Sequence, residues 1–165
     1  MRIVLDSDAL IKLAKVSAIS LVAESFTCFI SEEVFREVVV EGKKRRYRDA
    51  LTVEELVRKG LIKVAKHTVD ERALRIAHGL DPGEATCLHL FFNLNADLIV
   101  SDDHEFAERM AEGNVPYLTV SLLILFMAER GMIKKEEAIR YLSSMRGLVP
   151  RKELEYVLGR LGAHA

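Results

Sequence analysis

The chain is predicted to be an α/β protein: three layers, α/β/α, around a mainly parallel sheet, with additional helices at the C-terminus. Three observations predict this. Short, wholly apolar runs, Ile3-Val4-Leu5 and Leu98-Ile99-Val100, suit strands buried on both faces. Helical periodicity fills the segments between strands, the alternation that yields a parallel sheet with crossover helices. At 165 residues the chain suits one domain with a single sizeable core.

Each element follows from local pattern. Arg2–Leu5 is the first strand. Two short helices, Asp8–Lys15 and Val16–Ser25, precede a second strand at Phe26–Ile30. Ser31 suits an N-cap for a helix to about Glu41, with Val34, Phe35 and Val38 on one face. Gly42 opens a basic stretch, and a helix from about Thr52 to Lys59 is ended by Gly60. Leu61–Ala65 alternates apolar and basic residues, as an edge strand does, and Val69–His78 is helical. Pro82 takes the first position of a helix running to about Asn93. The strand Leu98–Val100, the helix Asp103–Glu112 and a short strand Tyr117–Val120 complete the core at about residue 120. Residues 121–165 read as a helical extension of the same domain, with helices at Leu122–Arg130, Lys135–Met145 and Arg151–Leu161.

Composition narrows the partners. Hydrophobic residues make up 50% and charged residues 30%, as in a soluble globular protein. A net charge of −1 gives no global attraction to nucleic acid or membrane, so any such attraction comes from a local patch. Cys28 and Cys87 lie in apolar surroundings without metal-ligand spacing and read as buried free thiols. The longest apolar run, Leu122–Ala128, is far too short to span a bilayer, and the N-terminus lacks a signal-peptide pattern. A cytoplasmic protein without membrane association is expected.

Chemistry concentrates where strands end in acid. The first strand runs into Asp6-Ser7-Asp8, the later one into Ser101-Asp102-Asp103. Ligands of open α/β sheets bind beyond the carboxyl ends of the strands. Glu84, in the first turn of the helix before Leu98, and Glu37, one to two turns into its helix, add two more carboxylates. Each acid also has a structural explanation. Asp6 or Asp8 suits a helix cap, Glu84 completes a capping box with Asp81, Asp102 and Glu105 share capping-box spacing, and Glu37 fits an exposed helical position. Independent caps have no reason to converge, whereas converging carboxylates need a cation. Hard oxygen donors suit Mg²⁺ or Mn²⁺. His104 reads as a solvated loop residue.

Four segments in order resemble the PIN-domain nuclease family: Ile3-Val4-Leu5-Asp6-Ser7-Asp8-Ala9-Leu10-Ile11, Val34-Phe35-Arg36-Glu37-Val38, Asp81-Pro82-Gly83-Glu84-Ala85 and Leu98-Ile99-Val100-Ser101-Asp102-Asp103. The resemblance spans roughly the first 120 residues, and the Gly-Glu-Ala and Asp-Asp elements resemble one prokaryotic, toxin-like branch. It implies a PIN-like fold and a metal-dependent ribonuclease, often the toxin of a toxin–antitoxin pair, with a homodimer and an antitoxin as partners. The family's acidic quartet falls on Asp6, Glu37, Glu84 and one of Asp102 or Asp103. The chain departs from the pattern with Ser101 where many members have Thr, with His104-Glu105-Phe106 after the aspartate pair, and with a longer, more basic Gly42–Thr68 segment.

On this reading Asp6, Glu84 and Asp102 or Asp103 hold metal, Glu37 completes the centre, and Ser7, Asp8 and Ser101 orient the ligands. Lys43, Lys44, Arg45, Arg46, Tyr47 and Arg48 put five cations and an aromatic ring in six residues, a pattern suited to RNA phosphates and a stacked base, or to a plain solvated loop. Two rivals stand beside it. A haloacid-dehalogenase-type phosphohydrolase also places Asp-x-Asp after its first strand, although Ala9-Leu10-Ile11 follow here and no convincing Lys motif appears. The other rival is a catalytically inactive binding module for RNA or protein.

Overall fold

In the computed structural model, which describes residues 1–164, the first apolar run forms the middle strand of the sheet. This strand, β1 (Arg2–Leu5), buries Ile3, Val4 and Leu5 completely. It pairs in parallel with β2 (Thr27–Ser31) on one side and β4 (Leu98–Val100) on the other. β3 (Ile62–Ala65) extends the β2 side and β5 (Tyr117–Leu118) the β4 side, giving the order β3-β2-β1-β4-β5 with every neighbour parallel. The runs Ile3-Val4-Leu5 and Leu98-Ile99-Val100 are wholly apolar because helices cover both faces of the sheet. Leu61–Ala65 is indeed an edge, and its exposed Lys63 explains the apolar–basic alternation.

Helices occupy every connection. They are α1 (Ser7–Lys15) and α2 (Ile19–Ser25), then α3 (Glu32–Phe35), a π-helical turn (Arg36–Glu41), α4 (Gly42–Lys44) and α5 (Arg48–Arg58). After β3 come α6 (Glu71–Ile76) and α7 (Pro82–Asn93), and α8 (His104–Glu112) links β4 to β5. The tail comprises α9 (Val120–Glu129), α10 (Lys135–Ser144) and α11 (Arg151–Arg160). α9 packs against β5, α1, α10 and α11, so the tail shares the core, with Leu123, Ile124 and Met127 fully buried. Cys28 and Cys87 are buried free thiols, and burial pushes Cys28 up to about 12.

Several boundaries differ from expectation for local reasons. α2 starts at Ile19 rather than Val16, because Val16 caps α1 and Ser17 adopts a left-handed φ of 60°. The helix expected from Ser31 to Glu41 is α-helical only to Phe35 and then widens into the π turn. The helix expected at Thr52 begins at Arg48, so much of the basic stretch is helical rather than loop. Val120 is the first residue of α9, not strand, because the Thr119 hydroxyl accepts the Leu122 N–H and caps that helix. The expected Val69–His78 helix is shorter, Glu71–Ile76, with Asp70 as its N-cap.

Candidate metal centre

Leu5 and Val100 are register partners at the ends of β1 and β4, so Asp6 and Ser101 leave the sheet side by side. The Asp6 N–H donates to the Val100 carbonyl at 3.2 Å. Here the sheet order reverses: β2 and β3 lie on one side of β1, β4 and β5 on the other. Crevices at such reversals are where open α/β sheets bind ligands.

Asp6 does two jobs. Its Oδ1 accepts the Ala9 N–H at 2.9 Å and caps α1, and its side chain also faces the crevice. Burial pushes its carboxyl up to about 7, and neighbouring Asp8 and Asp102 add to the rise. The Ser101 hydroxyl, fully buried beside it, pulls the other way and also accepts the Asp103 N–H at 3.2 Å.

Glu84 stands in the first turn of α7. Asp81 caps that helix by accepting the Glu84 N–H at 2.8 Å. Only this half of the capping box forms, since the Glu84 carboxylate has no hydrogen-bond partner among the described residues. Burial first, and then the charges of Asp81, Asp103 and Asp6, raise Glu84 to about 7. Those causes place four carboxylates from three elements within electrostatic reach of one another.

Glu37 arrives from the π turn. It is exposed, as its helical position suggested, yet the Ser7 hydroxyl donates to its Oε2 at 2.5 Å and turns the carboxylate toward the crevice. A Cβ on Gly83 would stand 2.9 Å from Glu37 Oε1, so glycine lets the carboxylate sit here without being pushed aside.

The two aspartates after β4 divide their work. The expected cap by Asp102 does not form: Asp103 caps α8 instead, accepting the Phe106 N–H at 2.8 Å. Asp102, whose side chain is only 3% exposed, accepts the Val120 N–H on Oδ1 at 2.8 Å and the Lys12 ammonium on Oδ2 at 2.9 Å. Burial nevertheless keeps its carboxyl above the usual range. Asp8, half-exposed, takes the other side of Lys12 at 2.9 Å. Burial alone would lower the Lys12 ammonium, but Asp8 and Asp102 raise it.

Asp6, Asp8, Glu37, Glu84, Asp102 and Asp103 therefore line one depression of about 310 Å³. His104 opens α8 rather than a loop; its exposed ring sits at the rim, 3.2 Å from Glu108. A second cavity, about 510 Å³, shares Ser7 and Glu37 with the first and is lined by Ile11, Lys15, Arg45 and Tyr47. The basic stretch is thus divided. Arg45 and Tyr47 face this cavity, while Lys43 pairs with Glu54 at 2.8 Å and Lys44 with Glu41 at 3.2 Å. Arg46 and Arg48 are exposed and do not line it.

The donors are all hard oxygen atoms, the chemistry that Mg²⁺ and Mn²⁺ prefer. Among the described residues, no three His, Cys, Asp or Glu side chains close around a common point as a ready cage. The donor set fits such an ion in chemistry, and the Asp6 and Glu84 carboxyls, raised first by burial and then by neighbouring carboxylates, are groups whose charged forms a cation would favour.

Three participants were not singled out from the sequence. Asp81 lines the depression as well as capping α7. Lys12 was recoverable, because it lies four residues after Asp8 on the helix that follows the acids, the spacing of a helical ion pair. The Val120 N–H carries no side-chain signal at all, and only tertiary structure brings it to Asp102.

A family model described as a PIN domain matches residues 2–161. No curated protein matches the chain.

Proposed function

This chain belongs to the PIN-domain family, whose members are generally nucleases, and we propose that it is a divalent-metal-dependent endoribonuclease acting as a toxin. The observation that carries this reading is the gathering of Asp6, Glu37, Glu84, Asp102 and Asp103 in one depression at the ends of β1 and β4. The family match favours this reading over the phosphohydrolase, and the retained carboxylates favour it over an inactive binding module.

Asp6, Glu84 and Asp103 are the residues that would hold the ion, with Glu37 beside them and Asp102 as support. Asp103 keeps Oδ2 without a hydrogen-bond partner among the described residues, whereas both oxygens of Asp102 are engaged. A Mg²⁺ or Mn²⁺ held there would supply a water of lowered pKa and positive charge to offset the charge that develops during cleavage. Ser7 fixes the direction of Glu37, and Ser101 braces the Asp6–Asp103 side. Arg45 and Lys15 line the adjoining cavity, where they suit backbone phosphates, and the exposed ring of Tyr47 suits a stacked base.

The toxin role, an antitoxin partner, a homodimeric state and a cytoplasmic location rest on the likeness of Gly83-Glu84-Ala85 and Asp102-Asp103 to the toxin-like branch. No helix among the described residues is long and apolar enough to cross a membrane.

The test is cleavage of a mixed RNA pool with Mn²⁺, with chelator, and with the Asp6→Asn variant. Cleavage is expected only from the wild type with metal, and induced expression should arrest growth of a host in the same pattern. Equal cleavage by Asp6→Asn, or none by the metal-loaded wild type, overturns the proposal.

A further inference from the structure

Resting on the reading that these carboxylates hold a divalent ion, we propose that Lys12 is a built-in competitor of that ion, an internal cation that sets the cluster's metal affinity. Its ammonium lies 2.9 Å from Asp102 Oδ2 and 2.9 Å from Asp8 Oδ2. It approaches from α1, the helix that Asp6 itself caps, so it is anchored to the same element as that carboxylate. The Lys12 side chain is 18% exposed and that of Asp102 3%, so water screens the pair poorly.

Both Asp102 oxygens already accept a bond. Val120 N–H takes Oδ1 and Lys12 takes Oδ2. An ion drawing on Asp102 Oδ2 competes with the ammonium, and an ion held by Asp6, Glu84 and Asp103 sits in the repulsive field of a fixed positive charge. Either route weakens binding. In return, Lys12 neutralises part of the cluster before metal arrives, which keeps Asp102 charged and buried. Lys12 is a positioning and affinity-setting residue rather than a catalytic one.

The test is Mn²⁺ binding to the whole chain, measured calorimetrically on the wild type, Lys12→Gln and Lys12→Arg. Lys12→Gln should bind Mn²⁺ about tenfold or more tightly, and Lys12→Arg, which keeps the charge, should match the wild type. A purely structural Lys12 would lower the melting temperature of Lys12→Gln without tightening Mn²⁺ binding. Unchanged or weaker binding by a folded Lys12→Gln, with the wild type binding normally, overturns the Lys12 proposal and leaves the nuclease reading standing. Absence of binding in all three proteins overturns both. A second measurement needs no variant: in the wild type, saturating Mg²⁺ should shift the Lys12 ¹⁵Nζ resonance, through the field of an ion held by Asp6, Glu84 and Asp103 or through loss of the Asp102 contact. An unmoved resonance at saturation overturns the proposal even if Lys12→Gln fails to fold.

Discussion

Gly83 and Glu37 meet across the crevice: a Cβ at Gly83 would lie 2.9 Å from Glu37 Oε1 and 3.5 Å from Oε2. The glycine of the Gly-Glu-Ala element therefore makes room for a carboxylate supplied by a different helix. Gly83→Ala should fold with its stability changed by no more than about 1 kcal/mol, since alanine favours the helix and the Glu37 carboxylate can swing aside. RNA cleavage should drop at least about tenfold, because a small displacement of a site group carries a cost of that size or more. Thermal melts and single-turnover cleavage check the two halves separately, and wild-type cleavage by the variant would remove Glu37 from the site.

Ser7 should act through Glu37 alone. Ser7→Ala and Glu37→Gln each slow cleavage, and the double variant should be no slower than Glu37→Gln. Coupled residues give such non-additive cycles, whereas multiplied effects would assign Ser7 an independent role.

The pH dependence of stability carries the signature of Asp6. Its folded-state value, about 7, lies above its ordinary value of 3.8, so the folded protein holds a proton that the unfolded chain releases. Its contribution to stability is full below the ordinary value and is lost as pH rises through about 7. Asp6→Asn keeps a side-chain acceptor for the α1 cap and removes the charge. In chelator at neutral pH it should be more stable than the wild type, on the order of 2 kcal/mol. The difference should shrink as pH falls toward 4. Chemical denaturation across that range is the measurement, and a less stable Asp6→Asn at neutral pH would make capping the dominant role of this carboxylate.

Removing charge from the basic segment should expose its division of labour. Arg45→Gln should reduce the salt slope of single-stranded RNA binding by about 0.7. Lys44→Gln should change it less, because Glu41 already offsets that charge at the surface. Binding isotherms from low to moderate salt decide, and equal slopes for the wild type and Arg45→Gln would leave this segment without a role in RNA binding.

Much of this architecture was legible because it is written in local pattern. Ile3-Val4-Leu5 and Leu98-Ile99-Val100 are short, β-branched apolar runs that suit buried strands, and Asp81-Pro82 announces a helix start. Strand ends and crossover geometry pointed to the acids without proving that they converge, and each acid alone also read as a cap. Asp6 and Asp103 show why that ambiguity arises: each caps a helix and lines the crevice at once. The π turn at Arg36–Glu41 was not legible, since no residue type marks an extra residue per turn. Assignment of the α8 cap to Asp103 rather than Asp102 was hidden for another reason. The Asp102 oxygens bond to Val120 and Lys12, both distant in sequence, and Asp103 is the residue that immediately precedes α8.

The bond from the Val120 N–H to Asp102 has a practical corollary for anyone preparing a minimal fragment. The end of the last strand at Leu118 invites trimming there, yet the family match runs to residue 161 and the amide that steadies Asp102 belongs to the first residue of α9. Glu153, on the final long helix, reaches back to the hydroxyls of Thr119 and Ser121 at the same spot. A truncated reagent ending at Thr119 would thus lose the clamp on its own acidic pocket along with the hydrophobic cover of α9, and its silence in an assay would say nothing about the intact molecule.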